Sequence, residues 1–485
     1  MTSVDSDCAI VVARIGMLSK KIDPCLVRNM KNKKTDDLPL LKRTDFALDF
    51  RWGCSTSSYQ IEGGVDLDGR GESIWDRFCA TPGHIRDGSS GAVACDHYHR
   101  WPEDLDLARS LGTNAYRFSI AWPRIFANGR GLAPNQKGLD FYSRMVDGML
   151  ERGLEPWVTL YHWDLPQALQ EQGGWANRDT VDAFVEYTDV VSRHLGDRIK
   201  HWITHNEPWC TAFHGNYEGV HAPGLKDVKT ALQVCHNVLV SHGLAIPVIR
   251  RNVPGARVGA ALSLHPLQPA SDSAQDVAAT KRHDGLRNRW FLDPLHGRGY
   301  PADIWRILGD KAPVVQDGDL ATIATPTDFL GVNYYFPEIV ADAPGVGVMS
   351  TQVIESDNVE RTAFGWEVSP EGMVTLLGRL AKDYQPAEIY LTENGSTYDD
   401  VLSPEGNIDD VERRRYLVRH LQATREIVAQ GIPVKGYFAW SLLDNFEWAE
   451  GYIRRFGLTH VDFETQQRRL KLSGEWYGAF LKGEL

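Results

Sequence analysis

From Phe46 onward, short runs of β-branched and aromatic residues alternate with longer stretches whose apolar positions recur at helical spacing. The short runs are Phe50–Ser58, Asn114–Ile120, Glu155–Tyr161, His201–Asn206, Arg257–Leu264, Asp328–Tyr335, Glu388–Glu393 and Val434–Leu443. Between them, Gly138–Arg152 and Thr180–Leu195 carry apolar residues every three or four positions. Short apolar runs bounded by turn residues predict buried strands, and the longer period predicts amphipathic helices. Eight strands alternating with helices predict an α/β fold, a single (β/α)8 TIM barrel with long βα loops over residues 45–485. An open doubly wound sheet is the alternative, but no G-x-G-x-x-G follows an early strand. Residues 1–44 break the pattern. Met30–Arg43 (MKNKKTDDLPLLKR) is charged and aperiodic, which predicts a poorly ordered N-terminal arm.

The length of 485 residues would allow three average domains, yet no Pro/Gly/Ser-rich linker, repeat or low-complexity tract divides the chain. The net charge of −12 argues against nucleic acid or an anionic membrane surface as a partner. Seven scattered cysteines with no C-x-x-C pair argue against a disulfide framework or a zinc site. The apolar stretch Cys8–Leu18 is short, contains Arg14 and follows Asp5 and Asp7, so it does not read as an export signal. These features predict a cytoplasmic protein.

In such a barrel, chemistry gathers where the strands end. Strand three ends in Tyr161-His162-Trp163-Asp164, strand four in Thr204-His205-Asn206-Glu207, strand six in Asn333-Tyr334-Tyr335, strand seven in Thr392-Glu393-Asn394 and strand eight in Trp440-Ser441. The first strand runs into Tyr59-Gln60-Ile61-Glu62. Glu207 and Glu393 lie on strands roughly opposite each other, so both can converge on one ligand. Paired carboxylates of this kind are what glycoside hydrolysis requires: one gives a proton to the leaving oxygen and the other attacks or stabilises the anomeric carbon. A lone glutamate at a strand end is more often a salt-bridge partner. Two, each beside an asparagine, point to catalysis.

The segments WGCSTSSYQIEGG, YRFSIAWPRI, LYHWDLPQAL, THNEPW, NYY, LTENG and WSLLDNFEW…GY resemble glycoside hydrolase family 1, the β-glucosidase family, in order from about Phe46 to the C-terminus. The resemblance implies a retaining β-glycosidase that takes small-molecule β-glycosides and needs no cofactor or metal. It implies Glu207 as acid/base and Glu393 as nucleophile. It further implies that Gln60, His162, Asn206 and Glu447 bind sugar hydroxyls and that Trp440 and Trp448 wall the sugar subsite. Tyr335 and Arg117 would attend Glu393, Asn333 and Trp122 would line the same pocket, and Trp366 would face the leaving group. Two alternatives follow: a 6-phospho-β-glucosidase, with Arg454 and Arg455 near phosphate, and a non-catalytic sugar-binding barrel. Glu447 opposes the first by its charge, and retention of both carboxylates opposes the second. His205 stands where that family usually has a small or aliphatic residue, and it is expected to point into the barrel wall. The pair His97 and His99 follows a loop and reads as structural.

Overall fold

The computed structural model describes residues 41–131 and 133–485. Among the described residues, eight parallel strands close one barrel. They are β1 (Arg51–Ser55), β2 (Ala115–Ser119), β3 (Glu155–Tyr161), β4 (His201–Asn206), β5 (Arg257–Ser263), β6 (Phe329–Asn333), β7 (Ile389–Asn394) and β8 (Val434–Trp440). Each strand pairs with its sequence neighbour, and β8 returns to β1 through Gly53 opposite Phe438. The (β/α)8 barrel predicted from the hydrophobic pattern is therefore the fold. The predicted strands β3 and β4 match residue for residue, while β1 and β8 are shorter than their apolar runs because these continue into the mouth.

The main helices around the barrel are α1 (His97–Ser110), α2 (Gln136–Glu151), α3 (Asp179–Leu195), α4 (Val228–Asn252), α5 (Ala274–Asp284), α6 (Pro370–Asp383), α7 (Val411–Ala429) and α8 (Leu472–Lys482). Three of these helices carry a side-chain cap at their start. The Asp227 carboxylate accepts from the Thr230 amide ahead of α4, and Ser369 caps α6 with Pro370 in its first turn. By length and composition α4 could cross a membrane, but 78% of its apolar window is buried inside the fold. It is a core helix, packed mainly against α3.

Two apolar layers hold the barrel. One lies between sheet and helices. The other is inside, where Ala115, Trp157, Ile203, Ala261, Phe329, Tyr390 and Phe438 supply one side chain from each of seven strands. Gly53 completes that layer from β1, since a Cβ there would lie 2.4 Å from the Phe438 ring. That layer plugs the barrel interior, so the strand ends at the other side form an open mouth above a closed floor.

The predicted arm falls mostly outside the described residues. Its last part is packed: Leu41 is buried and the Arg43 guanidinium lies 5.4 Å from the Trp52 ring centroid, while Asp45, just beyond the arm, pairs with Arg425 at 3.3 Å. The long segment after β6 forms strands Glu338–Asp342 and Thr351–Ile354, joined to Leu267–Pro269 in a small sheet beside the mouth.

Candidate active site

The two carboxylates stand at the ends of β4 and β7, and both strands lose regular register just before them. Pairing slips between Ile203 and Asn206 on β4, and between Leu391 and Asn394 on β7. Strict alternation would send every second residue outward; an irregularity re-aims the side chains that follow it. Ile203 still faces the barrel interior. His205 turns outward, its Nε2 2.8 Å from the Ser241 hydroxyl on α4 and its ring packed on Tyr161, Trp175 and Phe184. Asn206 and Glu207 then face the mouth. On β7, Thr392 and Glu393 face it too, while Asn394 is tied outward to the Tyr334 carbonyl and to the hydroxyls of Tyr416 and Tyr437.

Both glutamates are nearly fully buried, Glu207 at 6% exposure and Glu393 at 4%. Arg117 donates to Glu393 Oε1 at 2.6 Å, and the Tyr335 hydroxyl donates to Oε2 at 2.7 Å. The other arm of Arg117 donates to Asn206 Oδ1 at 2.6 Å. Asn333 donates through Nδ2 to Glu207 Oε1 at 2.8 Å and to Asn206 Oδ1 at 3.0 Å, its own Oδ1 accepting from Thr392 at 2.6 Å. One amide and one guanidinium thus tie both carboxylates into a single frame.

This frame also fixes a tautomer. Arg117 can only donate, so Asn206 presents Oδ1 to it and turns Nδ2 toward His162 Nε2, 3.1 Å away. Nε2 is therefore the acceptor and Nδ1 carries the proton. Burial, aided by the Arg117 charge, holds His162 well below the usual imidazole range, so the ring is neutral.

Burial pushes Glu393 up to about 7; Arg117 opposes this and the Glu207 charge adds to it. Burial likewise pushes Glu447 up to about 8, with Glu393 and Glu207 contributing. Two carboxyls in one mouth, Glu393 and Glu447, thus hold protons near neutrality, chiefly because burial penalises their charged forms and secondarily because neighbouring carboxylates repel them. Gln60 sits at the edge, donating to Asn445 Oδ1 and the Phe446 carbonyl at 2.9 Å each and to Glu447 at 3.5 Å. Trp440, Trp448 and Trp163 surround the His162 ring at centroid distances of 5.9, 5.9 and 5.1 Å.

Three bulky residues here adopt left-handed backbone: Glu207 at φ 47°, Trp163 at 79° and Trp448 at 50°. Each costs on the order of 1–3 kcal/mol and persists only where its surroundings dictate it. Trp163 Nε1 donates to the Asn206 carbonyl at 2.9 Å, which locks one of these residues to the strand end that carries Glu207.

The sequence profile of glycosyl hydrolase family 1 matches residues 42–484. The chain belongs to glycosyl hydrolase family 1. Beta-glucosidase A of Thermotoga maritima is 45% identical over 437 residues, 89% of this chain and 97% of that protein. The beta-glucosidase of an Agrobacterium species is 46% identical over 440 residues, covering 90% and 95% of the two chains. The solved Thermotoga maritima family 1 enzyme superposes with a TM-score of 0.88 at 45% identity, over 90% of this chain and 98% of its own. That enzyme has also been solved with deoxynojirimycin, again at a TM-score of 0.88.

In this family 1 glycoside hydrolase, Glu207, Glu393, Gln60, His162, Asn206, Asn333, Tyr335, Trp440, Glu447, Trp448 and Arg117 meet at the mouth. Trp366 lies beside them, half-buried against Tyr335, Phe336 and Phe364. Trp122 does not line the pocket. Its Nε1 donates to the Gly129 carbonyl at 2.8 Å and its ring stacks on Tyr187 of α3 at 5.0 Å. The chain has left β2 three residues earlier and opens a helical turn, which carries this ring behind the sheet. Arg454 and Arg455 do not form a phosphate site either. Arg455 is paired with Asp444 at 2.8 Å and Arg454 with Glu450 at 3.3 Å.

Cys210 was not singled out from the sequence. Its thiol lies 3.0 Å from Glu207 Oε2, placed there because the helical turn after Pro208 brings residue i+3 back over Glu207. That i+3 spacing was the available signal. The Asn445 and Phe446 partners of Gln60 are 385 and 386 residues away in sequence, and no spacing announces them. His97 is structural, as read: its Nδ1 meets Asp104 at 2.7 Å in a buried pair that Arg468 completes.

Proposed function

We propose that this chain is a retaining exo-β-glucosidase that removes the terminal non-reducing glucosyl unit from small β-glucosides and cello-oligosaccharides. The observation that carries the reading is the contrast between the two carboxylates. Glu393 accepts from a guanidinium and a phenol, which favours its ionised form, whereas Glu207 faces an amide and a thiol but no cation. The donors around each carboxyl therefore suit Glu393 to the role of anion and Glu207 to that of proton donor. Glu393 attacks the anomeric carbon while Glu207 protonates the departing oxygen; Glu207 then takes a proton from water, which releases the sugar with its β configuration. Asn206 and His162 are positioned for the hydroxyls next to the reacting carbon. Gln60 and Glu447 serve those farther along the ring, with Trp440 and Trp448 against its apolar face.

The relatives support glucose as the sugar, and a 1,4-beta-D-glucan glucohydrolase of Thermotoga neapolitana at 45% identity supports cello-oligosaccharides among the substrates. A role in the last step of cellulose breakdown follows from that substrate class. Neutral sugars are favoured over 6-phosphosugars because a phosphate dianion would meet three acidic groups while both nearby arginines are already paired. Among the described residues five cysteines are free, four of them buried, which supports a reducing, cytoplasmic setting.

The test is release of p-nitrophenol from its β-D-glucoside beside the 6-phosphate analogue, with Glu393→Ala as control and the first-formed anomer identified by NMR. Fast release of β-glucose from the neutral substrate alone, lost in the variant, is the expected result. Turnover of only the phosphorylated substrate, or first release of α-glucose, would overturn the reading.

A further inference from the structure

The turn that carries Glu447 and Trp448 into the mouth has a strained backbone. The Glu447 amide donates to the Gly451 carbonyl at 2.7 Å across one turn of helix, Trp448–Glu450. Trp448 is left-handed at φ 50°, and Gly451 stands at φ 63° and ψ −127°, a combination that residues with a side chain rarely adopt. Such backbone persists only where its surroundings dictate it. The rings of Trp75 and Trp163 hold the Trp448 side chain at centroid distances of 4.5 Å each. They leave the backbone beyond it, from Ala449 to Tyr452, to be held by other means.

The surface loop over residues 84–91 supplies that hold. The Arg86 amide donates to the Ala449 carbonyl at 2.8 Å, and the Tyr452 hydroxyl donates to the Ser90 carbonyl at 2.8 Å. Between these ties, Asp87 Oδ2 accepts from the Tyr452 amide at 2.7 Å. Asp87 Oδ1 accepts from the Ser89 amide at 2.9 Å and from the Ser89 hydroxyl at 2.5 Å, so the carboxylate is itself fixed. It lies so close to Gly451 that a Cβ there would run into it. The Arg86 side chain pairs with Glu450 at 2.8 Å, but more than half of it is exposed.

We propose that Asp87 is a positioning residue for the sugar subsite, holding the Glu447–Tyr452 turn so that the Glu447 carboxyl and the Trp448 ring meet the substrate. Both of its oxygens are already accepting, so it acts through the turn and not on the sugar. An amide cannot replace it, because the Ser89 and Tyr452 N–H groups both need an acceptor and an amide has only one oxygen. The proposal rests on the glucosidase reading, which gives Glu447 the hydroxyls far from the reacting carbon. Asp87 therefore governs how well the enzyme tells a glucoside from a sugar that lacks one of them.

The probes are p-nitrophenyl β-D-glucoside and the β-D-xyloside, which lacks the hydroxymethyl group, with the full chain. Asp87→Ala should lower kcat/KM on the glucoside about tenfold, mainly through KM. The xyloside should lose about threefold less, narrowing the preference for glucose. Asp87→Asn should change the preference in the same direction, and Arg86→Ala should stay within about twofold of the wild type. Gly451→Ala should reproduce the Asp87→Ala pattern, and combining the two should cost less than the product of their separate effects. Equal losses on the two glycosides, as a general loosening of the fold would give, overturn the proposal. So does an Asp87→Ala enzyme that matches the wild type on the glucoside, or full additivity in the double variant. A wild-type chain inactive on the glucoside overturns the glucosidase reading and this proposal with it, whereas an active wild type with an insensitive Asp87→Ala overturns this proposal alone.

Discussion

The ends of β4 and β7 face each other across one mouth, and they hold their carboxylates by opposite means. At β7 the backbone stays extended, Asn394 is bolted outward by two tyrosines, and Glu393 takes one charged and one phenolic donor. At β4 the backbone of Glu207 is left-handed, and its carboxyl receives an asparagine amide and a cysteine thiol. A group that must be an anion at the moment of attack is given a full positive charge. A group that must lose and regain a proton in each cycle is given donors too weak to hold it in either state.

The sharpest way to break this contrast is to remove each carboxyl in turn. Glu393→Ala should lower kcat by about 10⁴-fold or more whatever the leaving group, because no bond to the anomeric carbon can form. Glu207→Ala should cost about 10³-fold on cellobiose but far less in the first step with 2,4-dinitrophenyl β-D-glucoside, whose leaving group needs no proton. Equal losses on both substrates for Glu207→Ala would mean that it is not the acid. Next in size, Tyr335→Phe should lower kcat/KM by about 10²-fold. It should also move the acid limb of the pH profile upward, since the phenol lowers a carboxyl that burial already places at about 7. A limb that stays put or falls would show that Tyr335 does not stabilise the anion.

The thiol is a finer probe. Cys210→Val removes the donor to Glu207 Oε2 while keeping nearly the same volume, and it should change kcat/KM by about two- to fivefold. An unchanged kcat/KM would reduce Cys210 to packing. Smallest of all, His205→Leu should leave the pH–rate profile unmoved and the rate within about twofold. A shifted profile would mean that the wall histidine reaches Glu207 electrostatically.

The barrel was legible because its strands are apolar on both faces, and each ends where polar residues begin. The two carboxylates were legible because Asn-Glu and Glu-Asn stand at two such ends. Trp122 was misplaced because three residues separate it from β2, and the turn that intervenes rotates its ring behind the sheet. Cys210 was overlooked because a cysteine count weighs pairing and metals rather than a single contact one helical turn away. The register slips on β4 and β7 left no trace in composition, since an irregular pair has the same residues as a regular one. Only backbone geometry explains why His205 looks out while Asn206 looks in.

Those slips have a practical consequence for recombination. Each is a residue of slack in the ladder, and the aim of everything downstream depends on keeping it. A seam cut after Asn206 or Asn394 would join a strand end of one parent to a phase set by the other. A seam placed before Ile203 or before Leu391 would carry slack, strand end and loop together as one cassette, so chimeras spliced there inherit the direction of their glutamates intact.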